Sequence, residues 1–428
     1  MKIQQSALIS AFGGINFVFE LLNTKKVDQL LNDNLPVLPQ QSQYGWKDLF
    51  YSLLSIYMCG GDVIEDLGKN LKPHFTRNPL LNMPSPDTVL RRMKELAIPN
   101  KSARTLRGMV EHSFNTNPML TSLNMRLLKD LGVFNAEELT LDYDNTILFS
   151  DKEDCSMTYK RDKGYQPGVC TINESNILYI ENRGGNSDAK SFQHETIERV
   201  FIALAEHTTR KPDHFRADAA SYQYEVVKLL EDKVKNFYIG NRNSYVEKYY
   251  SLVNLWESIT DSTGECMEIG EVRICPFIKQ AGKKAKEYRL IVKRKATKSN
   301  QLDLFMGDAY EYRSILTNNL NWSAVEIAMF YNHRGNMEKQ FDIMKNDFGW
   351  NNVPFSHMSQ NTVFLHFTSM IRNLYNFIIQ HFSTKVKGLK PWYRIKKFIF
   401  RFIILPAKFV YRSRQVTLRV FGITNFVT

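Results

Sequence analysis

Three acidic residues stand out by their positions in the chain. Asp144 lies inside the alternating segment Leu139–Leu148, Asp218 follows the short segment His214–Ala217, and Glu338 belongs to a helical stretch much later. Carboxylates brought together from such places form an oxygen-only ligand set, which favours Mg²⁺ or Mn²⁺ over zinc. Two such ions, about 3.5–4 Å apart, can activate a water or a 3′-hydroxyl and stabilise the leaving oxygen of a phosphodiester. Taken singly, each acid is what any protein surface carries.

The helical stretch discriminates. Tyr331, Arg334, Glu338 and Lys345 fall at offsets 0, 3, 7 and 14, and at about 3.6 residues per turn these offsets share one face. Met337 and Phe341 flank the same side, so the stripe mixes charge with apolar surface. A solvated face has no need of that mixture. A face meeting DNA beside a metal site does, with Glu338 as ligand and Tyr331, Arg334 and Lys345 toward the phosphates.

The elements around these residues change along the chain. Residues 1–135 read as helical and as a DNA-end-binding region. Ser85-Pro86-Asp87-Thr88 is a strong helix start, leading into the short basic helix Val89–Leu96. From Glu138 the order becomes β-β-β-α-β-α-β: Leu139–Leu148, Gly168–Ile172, Ile177–Glu181, a helix over Ser187–Glu206, His214–Ala217, a helix over Tyr222–Val234, and Asn236–Ile239. That order predicts an α/β ribonuclease-H-like catalytic core over 136–243 and 319–350, its mixed sheet flanked by helices. A β-rich insertion over 244–318 interrupts it, and 351–428 reads as a helical basic C-terminal region. In the sheet of such a core the first and fourth strands are neighbours and the closing helix packs across them, so Asp144, Asp218 and Glu338 can converge.

Charge is unevenly spread. The chain has 428 residues, 56 Lys and Arg against 44 Asp and Glu, and a formal charge of +12. The last acid is Asp347, and twelve basic residues follow it, eleven of them from Lys385 onward. This tail, interleaved with aromatics, suits phosphate neutralisation and predicts a DNA clamp over 385–428; a tail that completes the core is the other reading. A second basic stretch, Lys279 to Lys298, suits either an anionic partner or the lysine-rich edge of a sheet. Disorder over most of the chain is excluded by 43% hydrophobic and 12% aromatic residues. Five scattered cysteines support neither a disulfide framework nor a zinc finger. No apolar run reaches the roughly 20 residues that span a bilayer, so no membrane is expected and the reading is cytoplasmic.

The motif Y-x2-R-x3-E-x6-K, formed by Tyr331, Arg334, Glu338 and Lys345, resembles the signature of bacterial insertion-sequence transposases with a DDE catalytic site. Other segments agree: Leu141-Asp142-Tyr143-Asp144-Asn145-Thr146, Gly164-Tyr165-Gln166-Pro167, Arg183-Gly184-Gly185-Asn186 and Arg216-Ala217-Asp218 each resemble a motif of that group. Ala219-Ala220 departs from the Ser-Gly common after the second Asp. Asp142 and Asp144 share a strand face by the two-residue period; the resemblance assigns the metal to Asp144, before Asn145-Thr146, with the inverse choice open. It implies a DNA transposase of an insertion sequence, nucleoid-associated in a bacterium. Such an enzyme binds terminal inverted repeats as a homodimer, cuts the element ends with two Mg²⁺ (or Mn²⁺) ions and joins them to target DNA. The rivals are a resident nuclease or recombinase of the same fold, a non-catalytic DNA-binding protein, and a peripheral membrane protein using its tail. Trp256, in the insertion, reads either as a brace for a flipped base or as a core residue.

Overall fold

The computed structural model describes residues 9–104, 110–241, 243–260, 264–296 and 310–422. Four helices carry most of the N-terminal region: α1 Ile15–Thr24, α2 Trp46–Met58, α3 Pro86–Glu95 and α4 Pro118–Asp130. The start of α3 follows its sequence: the Ser85 hydroxyl accepts from the Thr88 amide at 3.3 Å, Pro86 opens the first turn and Asp87 lies within it. Val89 and Met93 then turn inward, while Arg92 is held by Glu95 and Ser42.

One large sheet positions the site. Its strands in chain order are β1 Lys101–Arg104, β2 Glu111–Asn115, β3 Thr140–Asn145, β4 Gly168–Ile172, β5 Asn176–Arg183, β6 His214–Ala217, β7 Asn236–Asn241, β8 Glu257–Thr260, β9 Cys266–Ile274, β10 Tyr288–Ala296 and β11 Tyr310–Thr317. The spatial order is β1-β2-β5-β4-β3-β6-β7-β11-β10-β9-β8. At its centre β3 pairs antiparallel with β4 and parallel with β6, and β7 continues parallel beyond β6. Counted from β3, the central order 3-2-1-4-5 is consistent with a ribonuclease-H-like core. The strands of residues 257–317 continue this sheet through the antiparallel β7–β11 pair.

Both sheet faces are covered, as a sheet with parallel strands requires. On one side α5 (Gln193–Ala205) and α6 (Tyr224–Lys233) bury Ile197, Val200, Phe201, Val226 and Leu230 against Leu141, Phe215 and Phe237. On the other lie α7 (Ala324–Asn332), α8 (Asn336–Asp347) and the long α9 (Met358–Ser383). There Met337, Phe341, Met370 and Leu374 share a core with Val169, Ile177 and Ile180 of the sheet and with the N-terminal helices.

Two parts of the chain are less helical than their sequence suggests. β1 and β2 lie within residues 1–135. The C-terminal region is helical only to Ile403, and then forms a two-stranded ribbon, β12 Ala407–Arg412 with β13 Gln415–Val420. Gln415–Val420 alternates polar and apolar residues, a period-2 pattern that suits a strand. Among the described residues no helix is long and apolar enough to cross a membrane, and all five cysteines are free.

Candidate active site

The parallel register of β3 and β6 sets Asp142 beside Arg216 and Tyr143 beside Ala217. One residue further, Asp144 and Asp218 lie at the carboxyl edges of neighbouring strands. β3 runs one residue past Asp144, to Asn145, whereas the chain turns directly after Asp218. Asp144 accepts from the Asn145 amide at 2.8 Å, and Asp218 caps a short 3-10 turn by accepting from the Ala220 amide at 2.9 Å. Burial and the nearby Asp218 charge push the Asp144 pKa up to about 6, against the pull of Arg334. Two carboxylates crowded at a dry sheet edge call for a cation.

Arg334 supplies it. Its guanidinium lies 3.0 Å from Asp144 and 3.8 Å from Glu338, so it links the strand acid to the helix acid. Burial opposes its charge, yet Tyr331, Asp144 and Asp218 raise its pKa above the ordinary arginine value. The Glu338 side chain is 75% exposed, so it reaches the cluster from the solvent side. Among the described residues no three Asp, Glu, His or Cys side chains stand close enough to form a ligand cluster by themselves. The arginine occupies the middle of the acids.

Asp142 has a separate task. Arg216 grips it with two bonds of 2.6 and 2.8 Å, and the same guanidinium donates to the Phe330 carbonyl at 2.8 Å and to Glu174 at 3.1 Å. Glu174 in turn accepts from Asn336 at 2.7 Å and lies 3.2 Å from His333. This buried network ties β3 and β6 to the junction of α7 and α8. Asp142 is therefore fully engaged, and Asp144 remains the acid facing the cluster.

A 3-10 turn over His333–Gly335 tightens the passage from α7 to α8, yet its backbone stays right-handed helical and Arg334 and Glu338 still meet on one face. Tyr331 sits near the end of α7: its hydroxyl donates to the Ala217 carbonyl at 3.0 Å, next to Asp218, and burial pushes its pKa up to about 12. In this structure Tyr331 positions the helix against the strand end. Gly240 on β7 makes room for it, since a Cβ there would stand 2.4 Å from the Tyr331 hydroxyl. Lys345 lies two turns beyond Glu338, half-buried, its pKa lowered by burial and by Lys160.

Arg216, Glu174, Asn336 and Gly240 are the site's supports that residue types alone did not single out. Arg216 had one readable signal: it precedes Asp218 by the same two residues that separate Asp142 from Asp144. Neighbouring parallel strands that align the second pair must align the first. Trp256 is half-buried, its ring 4.0 Å under the Arg294 guanidinium at the far end of the sheet. Of the second basic stretch, Lys298 lies outside the described residues.

Comparison with known proteins places the chain in a family. The profile of the family described as transposase DDE domain group 1 matches residues 8–422. The chain belongs to that family. It is a DDE transposase, an enzyme of the polynucleotidyl transferase and endonuclease class. Among solved structures it is similar to a piggyBac transposase synaptic complex with hairpin DNA, at 12% identity and a TM-score of 0.40, over 90% of this chain and 79% of that chain. No curated protein matches. The family implies a divalent ion, and the chemistry of the donors suits one: Asp144 and Asp218 at the strand ends offer only oxygens, and Arg334 already sets a positive charge between Asp144 and Glu338.

Proposed function

We propose that this transposase moves an insertion sequence in a bacterial cytoplasm, at the nucleoid, by cut-and-paste transposition. A homodimer binds the terminal inverted repeats, cuts the ends and joins the freed 3′-hydroxyls to target DNA. Asp144, Asp218 and Glu338 are the catalytic ligands of two Mg²⁺ (or Mn²⁺) ions. The observation that carries this reading is the pairing of Asp144 with Asp218 at adjacent strand ends, joined to Glu338 through Arg334.

The chain's own residues contribute in distinct ways. Asp144 and Asp218 sit on the sheet, whose paired strands fix their spacing. Glu338, on a separate helix and exposed, can close the ligand set from the solvent side. When bound, the ions would lower the pKa of the attacking hydroxyl and stabilise the leaving oxygen. Arg334, once its carboxylates are otherwise neutralised, is free to turn toward a DNA phosphate. Lys345, about 10 Å further along α8 and near Lys160, extends the positive strip that a backbone would follow. Tyr331 can reach a phosphate only by leaving the Ala217 carbonyl, so its main part is positioning.

The test is cleavage of DNA carrying the element's own ends. Asp144→Asn, Asp218→Asn and Glu338→Gln should each lower nicking by orders of magnitude while end binding persists. Normal nicking by any one of them would remove that residue from the ligand set. Nicking without joined products would leave a nuclease in place of a transposase.

A further inference from the structure

The ribbon β12–β13 has two unlike faces. Its register pairs Lys408 with Arg419, Phe409 with Leu418, Val410 with Thr417, Tyr411 with Val416 and Arg412 with Gln415. Directly opposed residues point to one side and alternate along each strand. Phe409, Tyr411, Val416 and Leu418 therefore share a face, and Lys408, Val410, Arg412, Gln415, Thr417 and Arg419 share the other, whose one apolar side chain is Val410. The base of the apolar face is turned toward the body of the protein. Phe409 and Leu418 line a cleft with Phe12, Pro73 and His74, and the Tyr411 hydroxyl donates to the Arg77 carbonyl at 2.8 Å. The Tyr411 ring and Val416, nearer the turn, stay half-exposed. On the other face Arg412 and Arg419 are exposed, and Lys408 is half-buried at the rim of the cleft.

That outward face is arranged at a cost to stability. Lys408 and Arg419 stand directly across from each other, and like charges at opposed positions destabilise a strand pair. No acid exists beyond Asp347, and among the described residues none of Lys408, Arg412, Arg414 or Arg419 has a carboxylate within ion-pair distance. The turn adds to this. Ser413 and Arg414 hold left-handed backbone, φ 46° and 63°, where Asn-Gly is the relaxed choice, and so set a fourth cation at the tip. Repelling charges and a strained turn, offset by no carboxylate and only by the Phe421 ring 5.6 Å from the Lys408 ammonium, are the features of a surface completed by an anion.

We infer that the outer face of this ribbon is a second DNA-contact surface, on which Lys408, Arg412 and Arg419 engage the phosphates of double-stranded DNA outside the catalytic cluster. A two-stranded ribbon also has the width to follow a DNA groove. A lipid surface fits less well, because Phe409 lines the cleft with Phe12 and the Tyr411 hydroxyl is tied to the Arg77 carbonyl, leaving no free aromatic anchor on the basic face. The inference rests on the proposed action on DNA, and its test separates the two.

Binding to a random-sequence duplex is measured against salt for the full chain and for the triple variant Lys408→Gln/Arg412→Gln/Arg419→Gln. The slope of log K against log salt should flatten by about 2 to 3, since each lost phosphate contact removes about 0.9. In the absence of DNA the variant's Tm should equal or exceed that of the parent, because the opposed charges are gone. An unchanged slope in a folded variant overturns the ribbon's role, as does loss of binding to anionic vesicles with DNA binding unaltered. If the parent protein binds no duplex, the proposed function itself falls. Arg412→Gln alone, at an exposed strand end, should flatten the slope by about 0.9 and guards against misfolding of the triple variant.

Discussion

Two aspartates two residues apart on one strand have opposite roles here, and their neighbours decide which is which. Asp142 is neutralised by a buried arginine that bonds it twice, whereas Asp144 faces another carboxylate and shares Arg334 with Glu338. The pKa of Asp144, about 6, lies above the roughly 3.9 of an unfolded aspartate, so the folded state holds this proton more tightly. Its contribution to stability is full below about pH 4 and is lost as pH rises through about 6. The metal-free protein should therefore lose stability across that window, by about 2 kcal/mol from this group, and Asp144→Asn should flatten the dependence. Thermal denaturation at stepped pH without divalent ions checks it. The same series on Asp142→Asn should show a loss of about 3 kcal/mol, because buried Arg216 loses the carboxylate that bonds it twice and keeps only that of the half-exposed Glu174. If Asp144→Asn kept the parent's pH profile, crowding with Asp218 would not describe this site. Alternation alone placed both acids on one face; the partner across the strand separates them, and that is a matter of register.

At the scale of elements, the strands around the acids were legible because each is short, apolar and bounded by turn residues. Gly168–Ile172, His214–Ala217 and Tyr310–Thr317 begin and end where their alternation does. Two features were not legible. The 3-10 turn at His333–Gly335 tightens the helix that carries the Tyr-Arg-Glu-Lys spacing, and no local residue preference demands it. The junction of the inserted strands with the central sheet depends on β7 meeting β11 across about seventy residues, a pairing that no local pattern encodes. The contact that seats α7 is equally non-local, and it is testable. Gly240→Ala should push Tyr331 off the Ala217 carbonyl and cost about 1–3 kcal/mol, with a fall in nicking. Tyr331→Phe removes the atom that would clash and leaves the ring carbon beneath it 3.4 Å from the new Cβ. The double variant should therefore be more stable than the sum of the single losses predicts, and a double-mutant cycle on denaturation measures that coupling. Strict additivity would mean that the glycine serves something other than the tyrosine.

At the scale of the whole molecule, the basic end of the chain does two jobs that its composition blended together. Arg394 is spent inside, on Asp342 and Asp347 at 2.6 and 2.8 Å, and Arg372 is buried among Gln340 and Asn376 with its pKa lowered by burial to about 10. Phe398, Phe402 and Ile403 are buried, and Phe402 lies 4.5 Å from Phe382 of α9 and 6.1 Å from Phe17 of α1. The N-terminus closes on the same segment: Gly14 packs so tightly on the Phe402 carbonyl that no Cβ would fit, and the Ser10 amide donates to the Ala407 carbonyl at 2.8 Å. Segments near both ends of the chain thus complete one core, while the exposed cations run from Lys385, Lys387 and Lys390 through Lys396, Lys397 and Arg401 to the ribbon beyond Leu405. Removing everything after Thr384 should then abolish cooperative unfolding instead of merely weakening DNA binding, since it exposes the faces of α1 and α9 together. Phe402→Ala reports the same interface more gently, with an expected loss of about 3–5 kcal/mol in a denaturant titration. Its DNA salt slope should match the parent's, because the substitution removes no cation. A truncated chain that unfolded cooperatively at the parent's midpoint would mean that residues 385–405 pack on the surface without supporting it.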